Sequence, residues 1–180
     1  MNCKKIQTFE AIVNELQTFW SKIGCINLQS FDAEVGAGTF HHATFFKIID
    51  EKLWKVAYTQ LTKRPQDSYI KQRPTKRCFF HQYQVILKPP EKNIRHLYLL
   101  SLQYIGFTKD MHDIVFIEDD WKSPSLAAHG VGWEVRVNGL EISQITYFQK
   151  IGGILCKPTA AEITFGLERI ALILQKKKKI

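Results

Sequence analysis

The sequence predicts an α+β domain built on an antiparallel sheet with helices on one face, and three observations point there. Strand-like stretches outnumber helical ones. They follow each other at hairpin spacing, most plainly around Asn138-Gly139, the dipeptide that most favours a type I′ turn. Each helical stretch carries a single apolar stripe, which a sheet face can cover.

Taken in order, Phe9, Ile12, Val13, Leu16, Phe19, Trp20 and Ile23 recur at helical spacing, with Thr8 as the cap and Gly24 as the stop. "CINLQSF" reads as a strand, and in "DAEVGAGTFHH" Gly36 and Gly38 leave room for a ligand or a close backbone. "KLWKVAYTQ" is the next strand. Residues 63–77 hold six basic residues, one acid and two prolines, the composition of a loop. In "FFHQYQVILK", Gln82, Gln84 and Ile86 share one face and Tyr83, Val85 and Leu87 the other. A helix through "IRHLYLLSLQYIGF" is expected to end near Gly106, and "DIVFI" is a short strand ending in Glu118, Asp119, Asp120 and Trp121. "GWEVRV" and "LEISQITYF" flank the turn, and "EITF" is a last strand before the helix "GLERIALILQ".

The 180 residues fit one domain with a sizeable core, and 45% hydrophobic and 12% aromatic content argue against disorder or a fibrous repeat. Cysteines at 3, 25, 78 and 156 are too dispersed for a zinc ribbon or a disulfide framework, so a reduced cytoplasmic setting is expected. The amphipathic N-terminus is unlike a signal peptide, and no stretch approaches a membrane span. Lys and Arg number 25 against 17 acids, a formal +8, with four charges in the run Lys176 to Lys179. That balance permits a polyanionic partner.

Within the basic loop, Arg64 lies three residues before Asp67, with Lys71, Arg73, Lys76 and Arg77 beyond. Arginine forks match phosphate oxygens, and a lone acid can orient one guanidinium. Glu118, Asp119, Asp120, Glu134, Glu141 and Glu162 sit at strand ends or on strand faces. Such carboxylates serve as a solvated rim, a divalent-cation site beside a polyphosphate, or an anchor for a substrate amine. Glu162 and Thr164 share a polar face that leads to Gly166. His41 and His42, read as strand neighbours, would point to opposite faces and make a poor zinc pair. With no G-x-S-x-G, P-loop or G-x-G-x-x-G, covalent hydrolase chemistry and Rossmann cofactors are disfavoured.

A strand followed by Gly166-Leu167-Glu168-Arg169 and an apolar helix resembles the third signature motif of class II aminoacyl-tRNA synthetases, in which the arginine meets ATP phosphates. "FDAEVGAGT", "VAYTQLTKRPQD", "HDIVFIEDDW", "GWEVRVNGLEISQITYFQKIGG", "CKP" and "EITFGLERIALIL" together resemble, in family order, the α subunits of bacterial heterotetrameric glycyl-tRNA synthetases. The resemblance implies a class II synthetase-like antiparallel sheet flanked by helices that joins glycine to ATP, with Mg²⁺, and passes it to tRNA(Gly). It also implies a dimer of α subunits, formed through the first motif, working with a β subunit. Carried onto this sequence, Arg64, Arg169 and Glu162 become catalytic. Arg64, Asp67, Gln82, Glu118 and Arg169 become ATP-binding, and Gln84, Trp121, Glu134, Gln144 and Thr146 glycine-binding. Glu118 and Glu162 are the implied Mg²⁺ ligands. Residues 1–175 would form the catalytic domain and 176–180 a basic tail, the family's helical C-terminal region being absent.

The chain departs from the family pattern at Ser30, Leu61, Lys63, Lys76, Phe79, His129 and Arg136. Those departures motivate an alternative expectation: a catalytically decayed paralogue retained as a dimerising, RNA-binding or regulatory module.

Overall fold

The computed structural model describes residues 8–29, 32–65, 75, 77–108 and 110–177. Helix α1 (Phe9–Lys22) starts where the sequence places it, since the Thr8 hydroxyl accepts a hydrogen bond from the Ala11 amide at 3.1 Å. Gly24, at φ +96°, turns the chain out of it. Ile12, Leu16 and Trp20 are its buried stripe.

Strands β1 (Ile26–Asn27), β2 (Trp54–Lys63), β3 (Phe79–Lys88), β4 (Ile114–Ser123), β5 (Ala128–Val137), β6 (Leu140–Ile151) and β7 (Ile154–Gly166) form one sheet. Its order is β1-β2-β3-β7-β6-β5-β4. Every described pairing is antiparallel, as the sequence predicts, except that of the two-residue edge strand β1 with β2, which is parallel and makes the sheet mixed. Asn138 and Gly139, at φ +51° and +81°, form the expected tight turn between β5 and β6.

Helices α1, α3 (Ile94–Tyr104) and α4 (Leu167–Leu174) cover one face. They bury Tyr83, Val85 and Leu87 of β3 and Ala161, Ile163 and Phe165 of β7. Tyr98 of α3 stacks on Phe165 with ring centroids 5.3 Å apart, fixing α3 over the central strand. Burial of each such large apolar side chain contributes roughly 1.5–3 kcal/mol.

Helix α2 (His42–Ile49) departs from the sequence reading, which placed no helix here, took His42 for a strand residue and put all helices on one face. It packs on the opposite face, where Ala43 and Ile48 meet Val56, Tyr58, Ile86, Phe148 and Ala160. Eight residues are too short for a periodic signal to stand out, and tertiary packing supplies what propensity does not. His41 and His42 therefore do not alternate across a strand. The His41 Nδ1 caps the Ala43 amide at 3.1 Å, and the two rings stack at 4.4 Å. The buried Lys88 ammonium donates to the Ile48 and Asp50 carbonyls, satisfying oxygens that the end of α2 leaves unpaired.

Candidate active site

The half of the sheet not covered by α2 presents a polar surface, because strand alternation turns Gln82, Gln84, Glu162 and Thr164 away from the apolar side that α1, α3 and α4 occupy. Cross-strand register sets two rows on this surface. One runs Gln84, Thr164, Gln144, Glu134, Ile117, and the next Glu162, Thr146, Gly132, Asp119.

An open cavity of about 200 Å³ lies beside the first of these rows, where β7 gives way to α4. Arg64, Arg77, Phe80, Gln82, Gln144 and Arg169 are among its lining residues. Arg64 Nε donates to the Gly36 carbonyl at 2.7 Å, and its guanidinium lies 5.0 Å from the Phe80 ring centre, so packing holds its fork in place. Arg169 Nη1 donates to the Glu141 carbonyl and to Glu141 Oε2, both at 2.9 Å. Its neighbour Glu168, also at the cavity wall, accepts from the His81 amide at 2.7 Å and the His81 ring at 2.8 Å. Both members of the pair in "GLER" thus line the cavity, with Glu168 tying α4 to β3 and Arg169 braced by Glu141 of β6.

Residues Val35 to Thr39 are stitched onto the polar surface. The Lys63 amide donates to the Val35 carbonyl, the Gly38 amide to Gln82 Oε1 at 2.9 Å, and the Tyr58 hydroxyl to the Gly38 carbonyl at 3.0 Å. A Cβ at Gly38 would overlap the Gln84 amide, so the glycine serves the close approach of backbone to side chain that its sequence context suggested. The Thr39 hydroxyl reaches both oxygens of the buried Glu162, at 2.8 and 3.0 Å. Burial pushes the Glu162 carboxyl up to about 7, and the hydrogen bond to Thr39 pulls it back only in part.

The sequence-derived site residues separate into groups. Arg64, Gln82, Gln144 and Arg169 line the cavity. Gln84 is fully buried beneath it, accepting from the Thr164 hydroxyl at 2.9 Å, and acts as support. Glu162 and Thr146 are buried side by side in the second row, while Glu134 pairs with Arg136 at 2.5 Å. Trp121 packs edge-on against Phe148 near α2. Asp67 lies outside the described residues, as do Ser30 and Lys76.

Glu118 is a correction. The sequence was read as placing it at a strand end, but β4 runs through the acids to Ser123, and Glu118 stands opposite Trp133 in the row of Ile145 and Ile163. That row faces the side of α1 and α3, so Glu118 and Glu162 lie on opposite faces and cannot share an ion. The carboxylate on the polar surface is Asp119, which accepts from Gln144 Nε2 at 2.6 Å. Among the described residues, no group of three or more His, Cys, Asp and Glu side chains is placed to hold a metal ion. The implied Mg²⁺ therefore does not fit the residues named for it.

The sequence names Asp119 and Glu141 only as members of a group of acids, and gives Thr39 and Glu168 no part in the site. The signal that could have found Asp119 is parity, since residues 117, 119 and 121 alternate with 116 and 118 once the strand is extended through the acidic run. No helix of the described residues is long and apolar enough to cross a membrane.

Known proteins share this fold. Two structures of pyrrolysyl-tRNA synthetase from Desulfitobacterium hafniense, a class II enzyme, superpose with TM-scores of 0.69 and 0.66, each covering 99% of this chain and 73% of theirs. At 10% and 11% identity they establish the fold alone. The glycine–tRNA ligase α subunit of Rickettsia canadensis (strain McKiel) is 52% identical over 168 residues, 93% of this chain. The chain spans 58% of that relative's length. The family model of the glycyl-tRNA synthetase α subunit matches residues 9–180, and the chain belongs to that family.

Proposed function

We propose that the chain is the glycine-activating subunit of a glycine–tRNA ligase, working in the cytoplasm. It would join glycine to ATP as glycyl-adenylate and, together with a β subunit, pass the glycyl group to the 3′ end of tRNA(Gly). The observation that carries this reading is the cavity in which two arginines, each held by protein partners, flank a row of amide and hydroxyl side chains. In the same proposal, residues 1–175 form the catalytic domain, 176–180 a basic tail, and two α subunits pair.

The reaction needs no protein nucleophile. The glycine carboxylate attacks the α-phosphorus in line, the bond to the bridging oxygen breaks, and pyrophosphate leaves with that bond's electron pair. What the chain supplies is position and fixed positive charge. Arg64, stacked on Phe80, and Arg169, braced by Glu141, would hold the phosphates without reorganising. Gly166 brings backbone to the cavity wall without a side chain in the way. Magnesium would arrive with the nucleotide, since Mg²⁺ is commonly held through substrate phosphates. The identity of 52% to a glycine–tRNA ligase α subunit weighs against the decayed-paralogue alternative.

Charging of tRNA(Gly) with labelled glycine, measured for the chain with and without a β subunit, tests the proposal. Charging that requires both subunits is expected. No charging by folded chain in the presence of a β subunit overturns it.

A further inference from the structure

The side-chain amides that line the cavity do not have free choice of orientation, and their partners reveal which end of each faces a ligand. A carboxylate accepts hydrogen bonds and cannot donate them when ionised, whereas an amide has one donating and one accepting end. Gln144 points Nε2 at Asp119 Oδ2, 2.6 Å away, so its carbonyl oxygen is the end left to the cavity it lines. The contact spans two strands, from β6 across β5 to β4, and is possible because the intervening residue in Asp119's row is Gly132, which places no side chain between them. Gln82 is set the opposite way. Its carbonyl oxygen accepts from the Gly38 amide at 2.9 Å and the Thr62 hydroxyl at 3.1 Å, which leaves its NH₂ as the end available to a ligand.

From these contacts we infer that Asp119 is a positioning residue for the amino-acid substrate: by holding the Gln144 amide nitrogen it presents the Gln144 carbonyl to the glycine ammonium, while Gln82 presents its NH₂ to the carboxylate or phosphate end. The inference rests on the reading of the chain as a glycine-activating subunit and adds a polarity to it. The cavity has an accepting end at Gln144 and a donating end at Gln82, matching a zwitterion laid between them. Asp119 acts through Gln144 and does not line the cavity itself.

The test is glycine-dependent ATP–pyrophosphate exchange by the full chain, with its β subunit, for wild type, Asp119→Asn and Asp119→Ala. Asparagine keeps the shape of aspartate but offers either a donor or an acceptor, so the Gln144 amide is free to turn over. Glycolate, which carries a hydroxyl in place of the ammonium, is the competing ligand, because a hydroxyl can meet either end of the amide. The expected result is a KM for glycine raised by about 10-fold or more in both variants, with the KM for ATP within about twofold of wild type. The preference for glycine over glycolate should fall in parallel. A glycine KM and glycine-to-glycolate ratio unchanged in an active Asp119→Asn protein overturns the role of Asp119 and leaves the proposed function standing. Absence of glycine-dependent exchange in the wild type contradicts the proposed function itself, and the positioning role falls with it.

Discussion

Glu162 shows at the scale of one residue how the site mixes structure with chemistry. Its carboxyl is buried in the sheet, held by Thr39, and raised from the ordinary 4.5 to about 7 by the loss of solvent. The folded state therefore binds a proton that the unfolded state releases between those two values. Stability from this residue is complete below about pH 4.5 and falls as pH rises through about 7, by a few kcal/mol in all. Glu162→Gln keeps the shape and removes the ionisation. Denaturant titrations from pH 4.5 to 8 should show a declining wild-type stability and a flatter profile for the variant; parallel profiles would mean that Glu162 is not the residue responsible.

Residue-level legibility followed from parity. The alternation of Gln82 and Gln84 against Tyr83 and Val85, and of Glu162 and Thr164 against Ile163 and Phe165, was readable because the apolar partners are unambiguous. At "FIEDDW" three consecutive acids carry no such contrast, so Glu118 was favoured where the register selects Asp119. Hydrogen bonds between distant segments, such as Thr39 to Glu162 or Glu168 to His81, depend on strand order, which periodicity does not encode.

Strand β5 carries the most constrained position at the scale of elements. A Cβ on Gly132 would overlap the Ile145 carbonyl oxygen of the neighbouring strand, and one on Gly130 the Tyr147 carbonyl oxygen. Backbone atoms in a paired strand cannot step aside as a flexible side chain can. Gly132→Ala should cost about 3 kcal/mol or more in thermal or denaturant unfolding, by forcing β5 and β6 apart. A loss below about 0.5 kcal/mol would contradict the close approach of these strands. The helices α1, α3 and α4 were legible from their apolar stripes, α1 and α3 also from their glycine stops, whereas α2 was hidden by its length and by the two histidines at its start. The parallel pairing of β1 was equally hidden, since a two-residue strand has no pattern to read.

Among the described residues the molecule is a sheet with an apolar side covered by three helices and a polar side that carries the cavity, with α2 filling one part of it. This division explains why motifs far apart in the sequence converge: Arg64 follows β2, Gln82 lies on β3, Gln144 on β6, and Arg169 in the first turn of α4, which begins directly after β7. Strands β2, β3, β7 and β6 are consecutive neighbours, so the four side chains come to one place by topology and need no long loop to deliver them. The central claim is that this convergence is an adenylate-forming site with Arg169 as a phosphate ligand.

The measurement that tests it most directly is formation of labelled glycyl-adenylate from glycine and α-phosphate-labelled ATP, with wild type compared to a folded Arg169→Ala protein. The account predicts glycine-dependent product in the wild type and a loss of about 10²- to 10³-fold in the variant. Equal product from both proteins, or none from the wild type in the presence of its β subunit, would contradict it.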